Sequence, residues 1–161
     1  MLGDPRQVVV VPARDAYPEY LKYGAYVCQP RRSFRPVERM AFYCRGQIER
    51  EIPLIRHVLD EVEFSRENAD VLRTSGKSAA RETAELIERL LEAGPRQEGE
   101  FFKVFLLTGA GDPETVILER FIRNDATDAS GRTIAWVRNQ RYTSLAALRK
   151  AHRTSELSED R

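Results

Sequence analysis

Residues 7–11 read QVVVV. Four consecutive β-branched valines are stiff at χ1 and suit an extended backbone. The run has no polar residue to turn toward water, so the strand it predicts is buried on both faces. It is also far shorter than the roughly 18 apolar residues of a membrane span.

The rest of the chain supplies partners for that strand. PEYLKY suits a helical turn and AYVCQ, 25–29, a short strand, followed by the basic loop PRRSFRP between Pro30 and Pro36. RMAFYCRG, 39–46, reads as a strand, with Met40, Phe42 and Cys44 on one face and Ala41, Tyr43 and Arg45 on the other. Gly46 ends it or marks a bulge. In 47–64, Ile48, Ile52 and Ile55 fit either period, and Pro53 would interrupt a helix. Strand, turn and strand is the better fit there.

SAARETAELIERLLEAG, 78–94, is the clearest helix. Ala80, Ala84, Ile87 and Leu91 form its apolar stripe, Ser78 can cap it, and Gly94–Pro95 stops it. Strands follow at 100–108 and 114–122, turned by GAGDP, and at 132–139 after the polar loop NDATDASG. A closing helix starts near Thr143 or Ser144 and buries Leu145 and Leu148. Six or seven strands with one long helix predict an α+β domain. Its form would be a small mixed β-barrel or strongly curved sheet, flanked by one long and one or two short helices. No repeat or linker divides it, so a single domain is expected over 1–157, with a frayed polar tail at 158–161.

MLGDPRQVVVVPA has no basic lead-in and no cleavage pattern, so no secretory signal is read. Cys28 and Cys44 form no CxxC and suit small buried hydrophobes in a reducing cytoplasm. The expected location is therefore cytoplasmic, away from membranes. The net charge of +1 hides a segregation. Residues 31–56 carry seven basic and three acidic side chains, residues 120–153 eight and two, and residues 57–119 seven and fourteen. If the two basic blocks meet in the fold they make one face for an anionic ligand. Arginine outnumbers lysine 22 to 4. Its planar fork suits phosphates and base edges, although genomic base composition produces the same bias.

Three motifs attract attention and fall short. TSGKS, 74–78, resembles a phosphate loop, but Val71 stands where the first glycine is required. His57 and His152 lack partners at metal-ligand spacing, and no serine has a nucleophile-elbow context. A metal-dependent nuclease would gather Asp112, Glu114 and Glu119 with Lys103, yet the lysine expected just beyond a strand acid is missing. No cofactor or metal is expected.

What remains is a set of aromatic–arginine pairs at strand ends: Tyr43 with Arg45, Trp136 with Arg138, and Arg141 with Tyr142. Rings stack on bases and guanidinium groups hold phosphates. The same rings also suit core or cross-strand packing. The strand RMAFYCRGQI, and the distant RYTSLAALRKAHRTSEL that leads into the last helix, resemble bacterial proteins of the PUA-like superfamily, which includes EVE, ASCH and YTH domains.

That resemblance implies a small mixed barrel that binds RNA or DNA. Some members of the group accept a flipped, often modified, base in an aromatic-walled cleft, and others accompany restriction or defence systems, where a partner protein would be expected. It assigns Tyr43 and Trp136 to stacking, Arg45, Arg138 and Arg141 to phosphates or base edges, and Tyr142 to the wall. Arg31, Arg32 and Arg35 would lie along the backbone. The aromatic cage of modified-base readers has no counterpart in the chain, and no segment matches catalytic residues. The expectation is a non-catalytic nucleic-acid-binding module. Its rivals are the nuclease and an interaction subunit that docks through an exposed stripe on helix 78–93.

Overall fold

A computed structural model describes residues 7–157. The tail expected at 158–161, and residues 1–6 of the segment read for a leader, lie outside the described residues. The first half of the chain forms β1 (Val8–Pro12), α1 (Ala16–Tyr23), β2 (Ala25–Cys28), β3 (Arg39–Cys44), β4 (Gln47–Ile48), β5 (Glu51–Ile52) and β6 (Ile55–Phe64). The second half forms α2 (Arg66–Thr74), α3 (Ser78–Ala93), β7 (Glu100–Leu107), β8 (Val116–Ile117), β9 (Ile122–Arg123), β10 (Arg141–Thr143) and α4 (Leu145–Lys150). A 3₁₀ turn follows at Thr154–Glu156.

All four valines of β1 are without solvent contact, as their pattern requires. Alternation sends Val8 and Val10 into one core, with Ala41, Tyr43, Ile48, Ile122 and Leu148. Val9 and Val11 enter a second, with Tyr20, Met40, Phe42, Phe105 and Tyr142. Each fully buried side chain of this kind contributes about 1.5–3 kcal/mol before chain entropy is counted. The strand lies inside a curled sheet of order β10-β1-β3-β4-β9, next to its edge strand. It runs parallel to β3, with Val10 beside Ala41, and antiparallel to β10, with Val10 beside Arg141. The architecture is therefore α+β with a strongly curled sheet, as expected.

A second sheet, β2-β7-β6, carries α2 and α3. Ile87, Leu86, Leu90 and Ala84 of α3 pack with Val62, Phe64, Val104 and Leu106. The stripe is thus shifted from the one expected: Leu90 is buried and Leu91 is only half-buried. Because Ile87 lies inside this core, the exposed stripe that a docking helix needs is absent, and the interaction-subunit reading loses its feature. Ser78 is the first helical residue and Lys77 occupies the cap. Helix α2 was not anticipated. Its start is set by Ser65, whose hydroxyl accepts the Asn68 amide at 3.0 Å. Among the described residues the long helix is accompanied by three shorter ones, rather than one or two.

Two expected strands are corrected. Residues 114–122 divide into β8, paired with β5, and the beginning of β9, paired with β4. The chain changes sheets between them, and Leu118 donates to the Arg50 carbonyl at the crossing. Residues 132–139 form no regular strand. Their backbone is satisfied by the loop instead, through Ile134 N–H to Ala126, Asn124 Nδ2 to Ile134 and Arg141 Nη1 to Trp136.

Phe42 stacks on Tyr20 with ring centroids 4.6 Å apart and meets Tyr17 at 5.8 Å. Phe42→Ala is expected to destabilise the fold by about 3–5 kcal/mol in urea unfolding. Val71→Ser, on an exposed face of α2, should stay within about 0.5 kcal/mol. Equal effects would contradict this packing.

Candidate functional site

The loop between β2 and β3 meets the segment that leads into β10, and the two clasp each other 107 residues apart in sequence. Arg32 donates through Nη2 to the Asn139 carbonyl and to Gln140 Oε1, each at 2.9 Å, and through Nη1 to the Tyr26 hydroxyl at 2.6 Å. Gln140 returns the contact, with Nε2 donating to the Ser33 carbonyl at 2.6 Å and to the Tyr142 hydroxyl at 2.9 Å. The same hydroxyl accepts the Arg35 amide at 3.0 Å. Lys103 Nζ donates to the Arg32 carbonyl at 2.6 Å from the strand beneath. The seven hydrogen bonds named here involve neutral acceptors, so they order the Arg32 guanidinium without cancelling its charge.

Rings complete the arrangement. The Arg35 guanidinium lies 4.4 Å from the Tyr142 ring centre, that of Arg32 4.7 Å from Phe34, and that of Arg141 4.1 Å from Trp136. Such contacts are worth about 0.5–2 kcal/mol, depending on desolvation. The aromatic–arginine pattern is therefore occupied within the protein.

The two basic blocks do meet, through Arg32, Ser33 and Arg35 on one side and Asn139, Gln140 and Tyr142 on the other. Arg31 and Arg138 are exposed, while Arg32, Arg35 and Arg141 are half-buried. The rings do not share one recess. Tyr43 and Trp136 are only 9% and 8% exposed and belong to the core of Val8 and Val10. Tyr142 belongs to the core on the other side of β1. Nor do Tyr43 and Arg45 share a strand face. Arg45 stands in the turn after β3 with φ +53°, exposed, because the chain reverses there into β4. The Trp136–Arg138 pairing by alternation fails for the same kind of reason, since 132–139 is not a strand.

Sequence reasoning missed a depression of about 460 Å³ at the carboxyl end of β1. It is lined by Pro12, Arg14, Tyr26, Cys28, Arg32 and Phe102, among others. The available signal was position: Arg14 follows a fully buried strand almost directly, so it marks where that strand reaches the surface. Burial pushes the Tyr26 phenol and the Cys28 thiol up, against the opposing charge of Arg32.

The nuclease set is not assembled. Lys103, besides its bond to Arg32, has Asp60 at 3.6 Å, and it makes no contact with Asp112, Glu114 or Glu119. Among the described residues no three His, Cys, Asp or Glu side chains gather where they could hold a metal. His57 and His152 are exposed. Gly76 of the GKS segment is at φ +77° in the turn between α2 and α3.

No protein-family model matches the chain, and no curated protein matches it. Among solved structures it is similar to a crystal structure of a mutant ASCH protein from Zymomonas mobilis, at 11% identity. The similarity covers 66% of this chain and 70% of that one, with a TM-score of 0.37.

Two predictions follow from this geometry. Tyr142→Phe takes the acceptor from the Arg35 amide and from Gln140, and should cost about 1–3 kcal/mol in urea unfolding. A neutral result would mean the clasp is not held at that hydroxyl. The second concerns Glu49, beside the Arg45 turn and 7% exposed. Burial raises its carboxyl above the usual range; the Gln47 amide and Arg45 oppose the rise, and Glu51 adds to it. The folded state then binds the proton more tightly than the unfolded state. Its contribution is complete below the unfolded pKa and is lost as pH rises through the raised folded value. Glu49→Gln should flatten that decline in a pH series of unfolding midpoints, and an unchanged slope would contradict the assignment.

Proposed function

We propose that the chain is a nucleic-acid-binding module that grips the phosphate backbone with the outer face of the clasp. Arg31 and Arg138 make the outermost contacts, and Arg32 and Arg141 set the field behind. The supporting observation is a contrast in pairing. Some arginines elsewhere meet carboxylates through two bonds, as in Arg56–Glu82, Arg73–Glu88 and Arg96–Glu19, while others, such as Arg39 and Arg50, bond to backbone carbonyls. Among the described residues, Arg31, Arg32, Arg45, Arg138 and Arg141 have no carboxylate within ion-pair distance. Guanidinium groups held by rings and neutral acceptors keep their charge for an anion and lose little side-chain entropy on binding it.

The sequence resemblance to PUA-like proteins points to the same class. With Tyr43 and Trp136 in the core, the proposal puts affinity in phosphates rather than in stacked or flipped bases. RNA and DNA should then both bind, with little sequence preference.

Fluorescence anisotropy with labelled single-stranded and duplex oligonucleotides, across about 50–200 mM salt, tests it. Affinity should fall steeply with salt, and Arg31→Ala with Arg138→Ala should reduce the slope by about 0.7 per arginine on single strands. No binding at low salt, or binding indifferent to salt, would remove the proposal.

A further inference from the structure

We infer that the depression at the carboxyl end of β1 is a phosphomonoester site, in which Arg14 and Arg32 grip the terminal phosphate of a strand or of a free nucleotide. The strand-end form rests on the function proposed above; the free-nucleotide form does not.

The walls come from β1, β2, the loop after β2, β7 and the start of α1. Pro12, Ala13 and Arg14 leave β1, Tyr26 and Cys28 come from β2, Arg32 from the following loop, and Phe102 from β7. Arg32 is the fixed group. Its Nη atoms are held by Tyr26, Asn139 and Gln140, all neutral, while its Nε is buried and without a partner. Placing a half-buried guanidinium among neutral groups alone is costly compared with Arg96, also half-buried, which Glu19 meets on both nitrogens. Arg14 is the mobile group. It is exposed at the rim, and its side chain has no carboxylate partner among the described residues.

The charge favours an anion. Two guanidinium groups line the hollow against one carboxylate, Asp15, which is exposed and makes no capping bond. Asp15 and Ala16 also bring the start of α1 to the wall, where the helix dipole favours negative charge. A phosphomonoester carries one more charge and one more free oxygen than a phosphodiester, so it gains more from two guanidinium groups. Arginine pairs with phosphate oxygens through parallel N–H bonds, which suits a group that enters head-on.

The experiment compares 5′-phosphorylated, 3′-phosphorylated and hydroxyl-ended oligonucleotides of one sequence by anisotropy, and inorganic phosphate and adenosine monophosphate by calorimetry. Wild-type protein should bind one phosphorylated end about tenfold more tightly than the hydroxyl end, the scale of one or two charged hydrogen bonds. Arg14→Ala should erase that ratio. Alternatively, adenosine monophosphate or inorganic phosphate binds wild type and not Arg14→Ala, which identifies a free phosphomonoester as the source. If hydroxyl-ended strands bind while neither phosphorylated ends nor small phosphates gain anything, this inference fails and the proposed function survives. If small phosphates bind through Arg14 and no strand binds, the site stands and the proposed function fails. A preference that persists in Arg14→Ala overturns the assignment to this depression.

Discussion

Four valines sealed from water on both sides hold β1 between β3, from residues 39–44, and β10, from residues 141–143. Hydrogen bonding on both edges and cores on both faces leave the strand no freedom to slip, because a shift of one residue would exchange its two sets of valines between the cores. Everything at the candidate site hangs from that strand. β10 brings Gln140, Arg141 and Tyr142 to one edge, the β2–β3 loop closes over them, and Arg14 emerges at the strand's carboxyl end.

Several rings at the edge of the cores also position cations. A free arginine side chain carries about 2 kcal/mol of rotamer entropy. Contact with a ring and bonds to neutral acceptors take up part of that cost during folding, before any ligand arrives. Tyr142 does this for Arg35, Trp136 for Arg141, and Phe34 with Tyr26 for Arg32. A carboxylate would have ordered Arg32 and Arg141 more strongly and cancelled their charge, as Glu19 does for Arg96. The preference for rings over acids along this face is what gives the surface its character.

The buried strand, the long helix and the faces of β3 up to Cys44 were legible because their patterns are dense. The β1 valines, Ile87 in α3 and the Met40/Phe42 alternation each admit one burial solution. Less regular segments were misread for definite reasons. Val116 and Ile122 look like parts of one strand because both are β-branched, and nothing local marks the change of sheet between them. Thr133, Ile134, Trp136 and Val137 have strand propensity, yet Asn124 and Asp128 organise that region as a loop through their side chains. Helix α2 hides in a charged stretch where only Ala69 is buried, so its apolar signal is weak. The segregation of basic residues into two blocks was legible as a charge pattern, whereas their meeting depends on the pairing of β10 with β1. The division of Tyr43 and Tyr142 between opposite faces of the sheet was not, since it depends on β1 standing between them.

Hydrogen–deuterium exchange of the intact protein, with and without a single-stranded oligonucleotide at low salt, locates any contact directly. The account expects ligand-dependent protection over residues 29–35 and 138–143, with α2 and α3 unchanged. Protection confined to residues 66–93, with the clasp exchanging as before, would contradict it.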